Sequence, residues 1–124
     1  MIKWSLLFLA GGAGTILRYV LSGFVFQLLG ARFPYGTLVI NLLGCFLIGF
    51  LAQVSESKFL LPPNTRLFLM AGFIGAFTTF STFIFETVSL IKDGQMLLGF
   101  TNVFLSVLMG FAVFYLGVLV GELI

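Results

Sequence analysis

Four long apolar runs alternate with short polar interruptions along the chain. About 20 apolar residues suffice for a helix to cross a bilayer. The pattern predicts spans over about 4–29, 37–54, 66–91 and 95–121. The interruptions carry turn chemistry. Gly30 to Gly36 contains Arg32 and Phe33-Pro34, and the residue before a proline is pushed out of helix. Gln53 to Thr65 is the most polar segment, and Pro62-Pro63 forbids continued helix there. Asn64 or Thr65 is placed to cap the next helix. Lys92-Asp93-Gly94 reads as a tight turn with glycine as the helix terminator.

One run departs from the others. Met70 to Glu86 lies inside the third span yet holds two glycines, four hydroxyl residues (Thr78, Thr79, Ser81, Thr82) and five phenylalanines. A segment that only sits in lipid needs neither the glycines nor the hydroxyls. Irregular backbone at membrane depth persists only where its freed polar groups face protein, an ion or a water-filled cavity. Residues about 75 to 79 are therefore predicted to break the third helix, and the break to be the functional centre.

Composition agrees. The 124 residues are 60% hydrophobic and 8% charged, where a soluble domain carries about a quarter charged residues. Four spans leave almost nothing for a soluble domain, so the chain reads as one all-α integral membrane domain over residues 1–124. The apolar start runs on to about Leu29 without a convincing small-residue cleavage site, so it reads as a first span rather than a signal peptide. There is no histidine, and Cys45 is the only cysteine. An internal disulfide framework and a Cys/His metal cluster are both excluded. The net charge is +2 with scattered basic residues, which gives no footprint for nucleic acid.

Few polar side chains lie at membrane depth. Arg18 sits about 11 residues from the end of its span, roughly 16 Å at 1.5 Å per residue, farther than its side chain can snorkel. It reads either as a structural arginine bonded to carbonyls or as a positive charge at the floor of a vestibule that attracts anions. Asn41 needs a partner, because an unpaired amide in hydrocarbon is costly. That partner is another helix, or an anion in a pore. Gly44, Gly49 and the Gly11-Gly12-Ala13-Gly14 group read as packing notches. Asn102, Ser106 and Gly110 recur on one face of the fourth span, which must look toward protein or water.

Charge does not fix the orientation. Lys3, Lys58 and Arg66 fall on one side and Arg32 and Lys92 on the other, which is no clear bias under the positive-inside rule. Such a chain could insert both ways. Two opposed copies could then pair about an axis in the membrane plane, in the manner of an inverted repeat.

No enzyme suggests itself, because no nucleophile–base pair is available. Three of the four acids (Glu56, Asp93, Glu122) lie near predicted ends, and Glu86 reads as a structural pair or cap. Carbonyls released at a break are hard oxygen ligands suited to a small cation. The second half-helix presents N–H groups that suit an anion. Phe80 and Phe83 share a face. Aromatic ring edges carry partial positive charge, so they read either as ordinary packing or as the wall of an anion path. Size, span number and weak charge bias also fit a small dual-topology drug/proton antiporter. That activity needs a carboxylate deep in the first span, where this chain offers only Arg18.

Gly75-Ala-Phe-Thr-Thr-Phe-Ser-Thr-Phe83 resembles the third-helix signature of the Fluc/CrcB fluoride channels. The likeness extends to Gly11-Gly12-Ala-Gly-Thr-Ile-Leu-Arg18-Tyr19 and to Tyr35-Gly-Thr37-Leu-Val-Ile-Asn41-Leu-Leu-Gly44. The resemblance implies an antiparallel, dual-topology homodimer in the bacterial cell membrane, with two fluoride pores and a structural Na⁺ on the two-fold axis. It implies Na⁺ ligation by the backbone carbonyls of Gly75 and Thr78. By position, Phe80, Phe83 and Asn41 would line the anion path. Ser81 and Thr82 would lie along a polar track, Thr37 near the start of the second helix, and Arg18 in the vestibule. Ser106 would represent the fourth helix, where the next stripe position is Gly110 and offers no hydroxyl.

Overall fold

The computed structural model describes residues 2–57 and 61–124. Its elements in order are α1 (Ile2–Leu29), α2 (Tyr35–Ser57), α3 (Pro63–Arg66), a π-helical stretch (Leu67–Ile74), α4 (Gly75–Phe77), α5 (Phe80–Lys92) and α6 (Met96–Glu122). Four segments are long and apolar enough to cross a membrane: Ile2–Leu29, Tyr35–Glu56, Pro63–Lys92 and Met96–Glu122. No strand occurs among the described residues. Part of the expected polar segment between the second and third spans, including Lys58, lies outside the described residues.

Local chemistry explains the ends. Gly30 follows α1 with φ +79°, and its N–H donates to the Phe26 carbonyl at 2.8 Å. Gly94 closes the turn after α5 with φ +76°. There the Gln95 N–H reaches back to the Leu90 carbonyl at 2.8 Å, the six-residue closure of a Schellman end. The expected cap on the third span is corrected. Pro62 occupies the N-cap position and Pro63 the first turn, and no side chain caps the helix. Proline at the first helical position has no N–H to satisfy and a φ already set for helix. The helix therefore starts before Asn64 and Thr65 rather than at them.

Glycines set how closely the helices pack. α2 and α6 make the most extensive pairing in the fold. A Cβ on Gly49 would overlap the Phe114 carbonyl, and one on Gly117 would overlap the Phe46 carbonyl. The backbones thus touch directly, as small residues permit in membranes. On the opposite side, α1 packs on the π-helical stretch, where the Phe73 carbonyl sits against Gly14 and leaves no room for a side chain. In that stretch the Gly75 N–H reaches the Met70 carbonyl, five residues back, so the helix is wider than an α-helix. α1 buries only Gly14 and Val25. α5 and α6 are tied by Asn102, 1% exposed, whose amide donates to Thr87 Oγ1 at 2.9 Å. Thr87 Oγ1 in turn donates to the Phe83 carbonyl at 2.7 Å.

Candidate functional site at the break in the third span

The third span is interrupted at Thr78 and Thr79, whose backbones are extended (φ −84°, ψ 161° and φ −150°, ψ 119°). The break is shorter than the sequence suggests, because Gly75, Ala76 and Phe77 remain helical. Glycine permits a break without imposing one. β-branched threonine is the residue type that favours extended backbone.

Asn41 on α2 supplies what the helix gives up. The Thr79 N–H would reach the Gly75 carbonyl in a continuous helix. Here it donates to Asn41 Oδ1 at 2.8 Å. Asn41 Nδ2 donates to the Thr79 carbonyl at 3.0 Å. One amide therefore replaces the lost acceptor of the Thr79 N–H and adds a donor to the Thr79 carbonyl, which as the N-cap carbonyl also opens the α5 ladder. Thr79 also caps α5. Its Oγ1 accepts from the Thr82 N–H at 3.3 Å and donates to Thr82 Oγ1 at 2.9 Å. Thr78 Oγ1 donates to the Ile74 carbonyl at 3.1 Å, alongside the Thr78 N–H at 3.0 Å.

Two consequences follow for charge. The Gly75 carbonyl has lost its helical donor, and Gly75 lies on an exposed face. The break also brings the negative end of one helical half close to the positive end of α5. Backbone carbonyls are hard oxygen donors of the kind a small hard cation takes. Among the described residues no cluster of His, Cys, Asp or Glu offers an alternative metal set. The donor chemistry at Gly75 and Thr78 thus fits Na⁺.

Asn41, Thr78, Thr79 and Phe80 line a cavity of about 270 Å³. A neighbouring cavity of about 380 Å³ includes Ser106 and Gly110, and both cavities share Cys45 and Phe114. A third, of about 370 Å³, opens near the α1–α2 turn and includes Thr37, Glu86, Arg32 and Asp93. Thr37 is buried, and its Oγ1 donates to Glu86 Oε1 at 2.9 Å. Glu86 Oε2 is buried without a protein partner.

The remaining expected residues divide. Phe83 is 8% exposed and Phe80 75% exposed, although their rings touch with centroids 5.8 Å apart. Ser81 and Thr82 are exposed, as Phe80 is. Arg18 is half-buried on α1 and lines none of the three cavities. Within one chain these residues do not enclose a continuous path.

Glu86 is the structural pair its position suggests, holding Thr37, and it keeps one oxygen without a protein partner. Gly44 is a packing notch as expected, and the group it receives is the Thr78 methyl. Cys45, which borders two cavities, is the contributor that no sequence signal marks as part of the site.

Residues 5–118 match the family described as CrcB-like protein, Camphor Resistance (CrcB). A protein of Solidesulfovibrio magneticus named fluoride-specific ion channel FluC is 46% identical over 122 residues, covering 98% of each chain. Proteins of the same name from Citrifermentans bemidjiense and Dehalococcoides mccartyi are 45% and 47% identical. The first spans 92% of both chains, and the second spans 96% of this chain and 92% of its own.

Proposed function

The chain belongs to the CrcB-like family, a family of ion channels rather than enzymes, and from that premise we propose that it is a fluoride-selective passive channel. The observation that carries the reading is the name shared by relatives that match nearly the whole chain. The Asn41-clamped break gives that reading a physical basis.

Fluoride is small and strongly hydrated, so a pore must replace its water. Amide N–H, hydroxyl and ring-edge donors do this without a full positive charge that would trap the ion. Conduction requires binding strong enough to admit the ion and weak enough to release it. Asn41 has a second amide hydrogen beyond the one given to Thr79. Phe80 and Phe83 supply ring edges, and Ser81, Thr82, Thr37 and Ser106 supply hydroxyls. Arg18 draws anions toward the entrance. A narrow aromatic file excludes the larger chloride.

Pairing with a second, oppositely inserted copy completes the assembly in this reading. It accounts for the exposure of Phe80, Ser81 and Thr82 and for the meagre burial of α1. Each pair holds two pores. Gly75 and Thr78 of both copies would hold Na⁺, which supplies positive charge among converging carbonyl dipoles when bound. In the bacterial cell membrane the channel exports fluoride. HF enters by diffusion, dissociates at cytoplasmic pH, and the anion leaves down its electrochemical gradient.

Liposomes containing the purified protein test this. Fluoride is expected to escape while chloride is retained. Equal release of the two anions would exclude fluoride selectivity.

A further inference from the structure

We propose that Gly44 is a positioning residue for the break: its absent side chain is the socket that seats Thr78 and so aims the Thr78 carbonyl. This rests on the channel reading for its functional arm only.

α2 touches the break twice. Asn41 holds the backbone of Thr79. Gly44, about one turn along the same helix, faces the side chain of Thr78. A Cβ built on Gly44 would overlap Thr78 Cγ2, while its next neighbours, Thr78 Cβ at 3.5 Å and Ile74 Cγ2 at 3.8 Å, stand at ordinary contact distances. The exclusion comes from a single methyl group. The other branch of Thr78 is also committed, with Oγ1 on the Ile74 carbonyl at 3.1 Å. Both branches are therefore placed, and β-branching leaves few alternative rotamers.

The peptide geometry turns this seating into direction. The Thr78 carbonyl and the Thr79 N–H belong to one planar trans peptide and point opposite ways. The N–H points at Asn41 on α2. The carbonyl therefore points away from α2. Gly44 sets how closely that peptide lies against α2, and Asn41 sets its rotation. A side chain at position 44 pushes Thr78 outward and turns the carbonyl from its line. Gly12, by contrast, has no heavy atom within 4 Å of a built Cβ.

The test uses the full chain in liposomes, with Gly44→Ala, Thr78→Ser and the double variant, the Thr78→Ser background serving as the control. Gly44→Ala is expected to lower fluoride efflux per folded protein about tenfold, the scale expected from one methyl forced into a filled contact. Added to Thr78→Ser, which removes the methyl and keeps the hydroxyl, the same change is expected to cost nothing further. The second readout is thermal unfolding against NaCl concentration. The NaCl concentration for half-maximal stabilisation rises in Gly44→Ala and is unmoved when that change is added to Thr78→Ser. An equal loss from Gly44→Ala in both backgrounds overturns the socket. So does a lower yield of folded protein with normal efflux and an unmoved sodium midpoint. If the unmodified protein passes no fluoride, the channel reading fails instead. The socket then stands or falls on unfolding temperature: Gly44→Ala lowers it beside Thr78 and leaves it unchanged on top of Thr78→Ser.

Discussion

α2 is held on two sides by opposite means. Toward α6 it offers Gly49 and the carbonyl of Phe46, and at those two points backbone lies on backbone. Toward the third span it offers Asn41, which exchanges two hydrogen bonds with the main chain of Thr79. The first contact specifies distance. The second specifies conformation, because it makes a non-helical backbone affordable where water is absent. One helix can thus anchor a bundle on one face and hold open an interruption on the other.

The sharpest way to break this contrast is Asn41→Leu. It leaves the Thr79 N–H without a partner, and an unpaired buried group costs about 1–3 kcal/mol. Closing the helix relieves the cost by returning the Thr79 N–H to the Gly75 carbonyl. Fluoride efflux from liposomes is expected to fall about a hundredfold or more, the equivalent of about 2.7 kcal/mol, with the protein still folded on gel filtration. Next come Phe80→Ile and Phe83→Ile, which remove ring edges beyond the clamp. Each is expected to lower efflux at least about tenfold if edge electrostatics supplies some 1.4 kcal/mol, with the protein still folded on gel filtration. Unchanged efflux in both removes the aromatic file from the mechanism.

The seam between α2 and α6 should fail differently. Gly117→Ala drives a methyl into the Phe46 carbonyl, an overpacking that costs about 1–3 kcal/mol. The expected readout is a lower unfolding temperature and less folded protein, with the fluoride-over-chloride preference of the surviving fraction preserved. Altered selectivity would show that the two faces of α2 are not separable. The smallest effect is expected at the surface. Arg66 and Glu56 pair at 2.8 Å while both remain substantially exposed, so Arg66→Ala should change stability by under about 1 kcal/mol.

The four spans were legible because their apolar runs match the thickness of a bilayer and glycine or proline punctuates each end. The break was legible in kind but not in extent. Gly75 looked like its start, yet the extended pair is Thr78-Thr79, held by a residue 38 positions upstream. Of the two readings open for Asn41, the interhelical bond is present, and it is made to backbone rather than to another side chain. The π-helical stretch left no trace in the residue pattern, since Leu67 to Ile74 is uniformly apolar apart from small residues. Within it Phe73 sits on Gly14, a contact between segments distant in sequence. The outward placement of Phe80 against the inward placement of Phe83 was likewise hidden, because a shared face of α5 does not say how far along it the neighbouring helices reach.

The Asn41 clamp lies wholly inside one copy of the chain. The interruption is therefore complete as soon as the second and third spans meet in the bilayer. If two copies pair as proposed, they join parts that are already finished, and the pairing is set by encounter in the membrane rather than by refolding of the broken span.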